Sequence, residues 1–72
     1  MTEEANFWIS GTVWSKDRNG LVQWEIDIYK KRRFWFNKPV FHRMDTALSK
    51  ADAMKAISAY VERTTGIKGY MP

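Results

Sequence analysis

Residues 22–29 alternate between apolar and polar side chains, and this period of two constrains the fold more than any other feature of the chain. The apolar members are Val22, Trp24, Ile26 and Ile28. A strand with one buried face has this pattern, and the residues before the turn alternate in the same way. The pair Asn19-Gly20 tolerates the positive φ angles of a type I′ turn. The sequence therefore predicts a β-hairpin with strands at about 7–15 and 21–30.

The turn chemistry also predicts how the two strands pair. A two-residue turn places Val13 opposite Ile26 and Gly11 opposite Ile28. Both apolar sets then fall on one face of the sheet. Because glycine has no side chain, Gly11 leaves room on that face for a bulky group.

A third strand is predicted within residues 33–43. Pro39 cannot donate a ladder hydrogen bond, so this strand suits the edge of a sheet. Its register stays open. A four-residue loop turns Trp35 inward, whereas burial of the larger number of rings places Phe34 and Phe36 inside.

A helix is predicted at about 50–64. Ser49 begins a capping box in which the short acid Asp52 replaces the usual glutamate. The apolar residues that follow keep the i, i+3, i+4 spacing of one buried face. Gly66 is a typical helix stop, and residues 67–72 are expected to form a flexible tail or one that is lightly docked.

These elements predict one α+β domain over residues 1–72, in which a three-stranded antiparallel β-sheet packs on one α-helix (β-β-β-α). The length of 72 residues leaves no room for a second domain. One helix covers only one face of a sheet, so the other face should meet solvent or a partner. The aromatic residues expected on this open face are Trp8, Trp14 and Tyr29.

The chain contains no cysteine, and its acidic first four residues precede no long apolar stretch. Disulfides, thiolate metal sites, a signal peptide and a membrane-spanning helix are therefore not predicted. We expect a cytoplasmic protein that does not associate with membranes and that is a monomer or a weak homodimer.

Residues 30–43 hold six Lys or Arg and no acidic residue, interleaved with Phe and Trp. They contribute +6, whereas the rest of the chain, with six Lys or Arg against eight Asp or Glu, contributes −2. Basic side chains neutralise phosphates and aromatic rings stack on bases, so the segment predicts nucleic-acid binding, to DNA more than to RNA. The candidate contact residues are Lys30, Lys31, Arg32, Arg33, Trp35, Lys38, His42 and Arg43.

The chain resembles the plant AP2-type DNA-binding domain over about residues 12–62. The resemblance is carried by Gly20, Trp24-Glu25-Ile26, Arg33-Phe34-Trp35, Asp45-Thr46, Ala51-Asp52-Ala53 and Ala59-Tyr60. The order of elements also resembles the arm-site-binding domains of tyrosine integrases. Both families imply a sheet in the major groove whose Arg and Trp side chains read bases and phosphates. This chain departs from them at Glu25 and Asp27, which repel phosphate, so contact is expected at the 30–33 loop and the third strand.

The alternative function is that of a small protein-binding regulator or inhibitor, such as a phage-type accessory protein, acting through the open aromatic face. No catalytic residue, metal site or cofactor is predicted. Glu25 and Asp27 lie close on one strand face but are solvated, and His42 has no Cys or second His with which to share a metal. The chain is therefore not expected to be an enzyme.

Overall fold

The computed structural model describes residues 2–4, 6–16, 19–31 and 38–72, without the side chains of 2–4, 15 and 16. These residues form antiparallel strands and one helix. The elements in chain order are β1 (Thr2–Glu4), β2 (Phe7–Lys16), β3 (Val22–Lys30), β4 (Phe41–Ala47) and α1 (Lys50–Thr65). The strands lie side by side in the order β1-β2-β3-β4. The predicted α+β class, with three antiparallel strands followed by a helix, is confirmed.

The short strand β1 extends the sheet beyond the three predicted strands. It runs antiparallel to β2, and Thr2 lies opposite Ile9 and Glu4 opposite Phe7. Three residues are too few to display a period of two, so alternation could not reveal this strand. Strand β2 is thereby paired on both sides.

The hairpin of β2 and β3 pairs two residues away from the predicted register. Gly11 lies opposite Ile26, where Ile28 was predicted, and the partner of Val13 is shifted in the same sense. Part of the shift comes from a β-bulge between Val13 and Lys16. The rest is already present beyond the bulge, where Lys16 lies opposite Val22. Because side chains alternate with a period of two, this shift keeps each of them on its predicted face.

The core lies between the inner face of the sheet and α1. Its buried residues from the strands are Ile9, Val22, Trp24, Ile26 and Ile28, and those from the helix are Ala53, Ile57 and Val61. Each large aliphatic side chain contributes about 1.5–3 kcal/mol on full burial. The apolar members of the alternating pattern in β3 are all among these buried residues, so the pattern predicted the buried face of this strand correctly.

Strand β4 ends later than the predicted strand at 33–43. It spans Phe41–Ala47, and the predicted positions 33–37 lie outside the described residues. Pro39 precedes the strand because it has no N–H for the ladder, and the first donor after it, Val40 N–H, bonds the carbonyl of Ile28 at 2.7 Å. In the described part of the chain β4 pairs with β3 alone, as expected for an edge strand.

Helix α1 begins and ends as its capping residues indicate. The Ser49 hydroxyl oxygen accepts a hydrogen bond from the Asp52 N–H at 3.1 Å. At the other end Gly66 has φ +80°, and its N–H donates to the carbonyl of Glu62 at 2.8 Å. These bonds satisfy backbone groups that a helix end leaves unpaired, so the predicted span of 50–64 agrees with Lys50–Thr65 within one residue.

The segment at 67–72, expected to be flexible or lightly docked, packs against the core. Tyr70 is only 5% exposed and belongs to the buried cluster, and Ile67 packs against it. A Cβ atom placed on Gly11 would lie 3.0 Å from Pro72 Cβ and 3.3 Å from the Tyr70 hydroxyl oxygen. The space that Gly11 leaves on the inner face is therefore filled by the chain's own C-terminus.

Candidate functional site

The face of the sheet opposite α1, here called the open face, carries both aromatic and charged side chains. Its members on β2 and β3 alternate with the buried residues, and Trp8 lies directly opposite Tyr29. Trp14, at the start of the bulge, is 40% exposed, and Met44 on β4 is 57% exposed. Two of the three predicted aromatic residues thus share this face, and the third lies exposed beside it.

A cluster of two carboxylates and one imidazole occupies the middle of the open face. Strand pairing places His42 directly opposite Asp27, and Glu25 precedes Asp27 by two residues on the same face of β3. His42 Nδ1 lies 2.6 Å from Asp27 Oδ1 and 3.8 Å from Glu25 Oε2. Sequence reasoning treated His42 as isolated. Only the register of β3 and β4 brings the two carboxylates to His42, and the sequence left the register of the third strand open.

Three lysines lie at one end of the sheet, here called the basic end. Lys30 is the last residue of β3, and the backbone N–H of Lys31 donates to the carbonyl of Asn6 at 2.7 Å. Lys38 is exposed and precedes β4 at the same end, where Phe41 pairs with Ile28. The predicted contact residues Arg32, Arg33 and Trp35, which lie between them in the chain, are outside the described residues.

The Lys31 ammonium lies over the indole ring of Trp8, with 5.4 Å between Nζ and the ring centroid. A cation–π contact of this kind contributes about 0.5–1 kcal/mol at an exposed site. It holds the lysine beside the open face and directs one positive charge towards the first strands of the sheet. The basic end and the open face therefore meet at Trp8.

Two of the predicted contact residues, His42 and Arg43, do not lie at the basic end. As neighbours on one strand they point to opposite faces of the sheet. His42 contacts Asp27 on the open face, and Arg43 forms an ion pair with Asp45 on the side of α1, with 3.2 Å between Nη2 and Oδ2. Each of them thus already has a carboxylate neighbour.

The Asp45 carboxyl group is expected to titrate at lower pH than an ordinary aspartate. The Thr46 N–H donates to it at 2.8 Å, and the Arg43 guanidinium also bonds it, so the pKa of Asp45 falls below its usual 3.8. A lowered pKa in the folded state stabilises the fold above the unfolded-state value, and this contribution is lost as the pH falls through the folded pKa.

This prediction can be checked by following the Asp45 carboxyl carbon by NMR across the acid range. We expect a midpoint below 3.8, and Arg43→Gln should raise it only in part because the Thr46 bond remains. A midpoint at or above the usual value would contradict the hydrogen bonding described here.

No helix in the described residues combines the length and the apolar character needed to cross a bilayer. No protein-family model, curated protein or solved structure matches this chain. The resemblance to AP2-type and integrase domains therefore stays a prediction from sequence.

Proposed function

We propose that this protein binds nucleic acid, DNA in preference to RNA, through the basic end of its sheet. The observation that supports this most is the convergence of Lys30, Lys31 and Lys38 at one end. The segment that joins them adds Arg32 and Arg33 by sequence. Five cations within nine residues, with no acid among them, form a local field that attracts phosphate.

The carboxylates of the open face indicate how the nucleic acid would approach. Glu25 and Asp27 lie in the centre of that face, where their charge repels a phosphate backbone. A sheet docked flat into the major groove would bring phosphates towards them, whereas contact at the basic end avoids them. We therefore assign phosphate contacts to the lysines and arginines of that end, and not to His42, which contacts Asp27.

Aromatic stacking in this proposal is assigned to Trp35. The Trp8 ring already carries the Lys31 ammonium on one face, so a base could stack there only on its other face or by displacing the lysine. Trp35 belongs to the basic segment by sequence, and a single aromatic–base stack contributes about 1–3 kcal/mol. Contacts to phosphate position the protein, whereas sequence preference requires side chains that reach base edges.

Fluorescence anisotropy with labelled duplex DNA, single-stranded DNA and RNA, each over a series of salt concentrations, tests the proposal. Neutralising about three to five phosphates should give a slope of log K against log salt of about −3 to −4.5 on duplex DNA. Duplex DNA should bind more tightly than RNA. A flat salt response, or no binding at low salt, would refute the proposal.

The second candidate is a small protein-binding regulator that uses the open face. The exposure of Trp14 and Met44 favours it, because Trp, Tyr and Met are enriched in protein interfaces. Trp14→Ala should then abolish the regulatory effect while leaving the affinity for nucleic acid unchanged. Leu48→Ala provides the control, since Leu48 is an exposed apolar residue that follows β4.

A further inference from the structure

We infer that Glu25, Asp27 and His42 form a binding site for one divalent transition-metal ion of the zinc type. The site lies at the centre of the open face and is separate from the basic end. Three ligand atoms, one from each residue, all lie within 4.8 Å of one another. One nitrogen and two oxygen donors make a set that proteins use for such ions.

The separations of the ligand atoms are close to those that a metal ion requires. Zinc bonds of about 2.0–2.2 Å in a tetrahedron place neighbouring ligand atoms roughly 3.4 Å apart. The observed separations from His42 Nδ1 are 2.6 Å to Asp27 Oδ1 and 3.8 Å to Glu25 Oε2, one shorter and one longer than this value. The third separation, between the two carboxylate oxygens, is at most 4.8 Å. Changes of up to about 1.4 Å in these separations, within reach of side-chain rotations, would satisfy the geometry.

The backbone holds the three residues in place. Glu25 and Asp27 lie on β3, which is paired on both sides, and His42 is directly opposite Asp27 on β4. On the other side of β3 the register sets Ser10 opposite Asp27 and Thr12 opposite Glu25. Hydroxyl groups beside ligand carboxylates can orient them, and outer-shell groups of this kind contribute to metal affinity.

The charges also favour a cation. Two carboxylates on one face of a strand repel each other, and a divalent ion would neutralise both while the imidazole ligates in its neutral form. The side chains of Glu25, Asp27 and His42 are 28%, 22% and 45% exposed, so an ion can reach them from solvent. Three protein ligands leave a fourth position open to water.

The imidazole distinguishes the metal class. Magnesium and calcium select oxygen ligands, whereas an imidazole donor beside carboxylates favours zinc and its neighbours in the first transition series. The alternative explanation of the cluster is a hydrogen bond or ion pair between His42 and Asp27 that holds no metal. That arrangement needs no metal and predicts no saturable uptake, so one measurement separates the two.

The test is isothermal titration calorimetry of Zn²⁺ into the full chain after treatment with a chelator. We expect saturable binding of one ion per chain, and much weaker binding of Mg²⁺ under the same conditions. His42→Ala and Asp27→Asn should each weaken Zn²⁺ binding at least about 10-fold, since loss of an outer-shell group alone costs about 10–100-fold. Co²⁺ should give the visible absorption of a four-coordinate ion, and His42→Ala should abolish it.

Asp45→Asn is the matched control, because Asp45 lies on the same strand as His42 but on the side of α1. It should bind Zn²⁺ like the parent chain, and circular dichroism should show that all variants are folded. Absence of saturable Zn²⁺ uptake by the parent chain would overturn the inference. It would also be overturned if His42→Ala kept the parent affinity, or if Asp45→Asn lost as much affinity as Asp27→Asn. None of these three results would refute binding of nucleic acid by the lysines of the basic end.

Discussion

Replacing Tyr70 by alanine is expected to lower the free energy of unfolding by about 3–5 kcal/mol, as removal of a buried aromatic ring does in other proteins. Tyr70 is 5% exposed and lies in the same buried cluster as Ile26. Its loss would leave a cavity over Gly11 and weaken the attachment of the C-terminal residues. A domain of this size has about 4–11 kcal/mol in total, so the variant should be close to unfolding.

Urea denaturation followed by circular dichroism measures this effect. Tyr70→Phe keeps the ring and should change the free energy of unfolding by less than about 1.5 kcal/mol, because the buried volume is almost conserved. Met71→Ala is the control for the tail itself, since Met71 is the neighbouring residue and is exposed. If Tyr70→Ala kept the urea midpoint of the parent chain, the docking of residues 67–72 against the core would be wrong.

Replacing Lys30, Lys31 and Lys38 together by glutamine is expected to weaken duplex DNA binding by about 100-fold or more at low salt. Each lysine that contacts phosphate contributes about 1 to the slope of log K against log salt, so the slope should become less steep by about 3. The loss should be similar for unrelated DNA sequences, because these charges contact the backbone and not base edges. Anisotropy titrations at several salt concentrations give both quantities.

The matched control is the simultaneous replacement of Lys50, Lys55 and Lys68, all exposed, by glutamine. Both triple variants reduce the formal net charge from +4 to +1. Only the variant at the basic end should lose affinity strongly. Equal losses from the two variants would mean that overall charge, and not the basic end, attracts the nucleic acid, and the proposal would then be refuted.

Local sequence patterns were sufficient to predict those elements that a few consecutive residues specify. The alternation in β3 predicted which of its side chains are buried, and Ser49 and Gly66 marked the two ends of α1. The end of β4 was predicted too early, because the residues on the α1 side of this strand include the charged Arg43 and Asp45. Charged residues at inward positions on an edge strand hide the alternation on which strand prediction depends.

The sequence by itself determined the α+β class, the buried face of the hairpin, the limits of the helix and the concentration of positive charge in residues 30–43. Only the tertiary structure decided that His42 lies between two carboxylates and that Tyr70 fills the space over Gly11. The first group depends on periodicity and capping, which act over one or two turns of chain. The second depends on strand register and chain packing between residues far apart in sequence. A bulge or a loop residue changes such contacts without altering any local pattern.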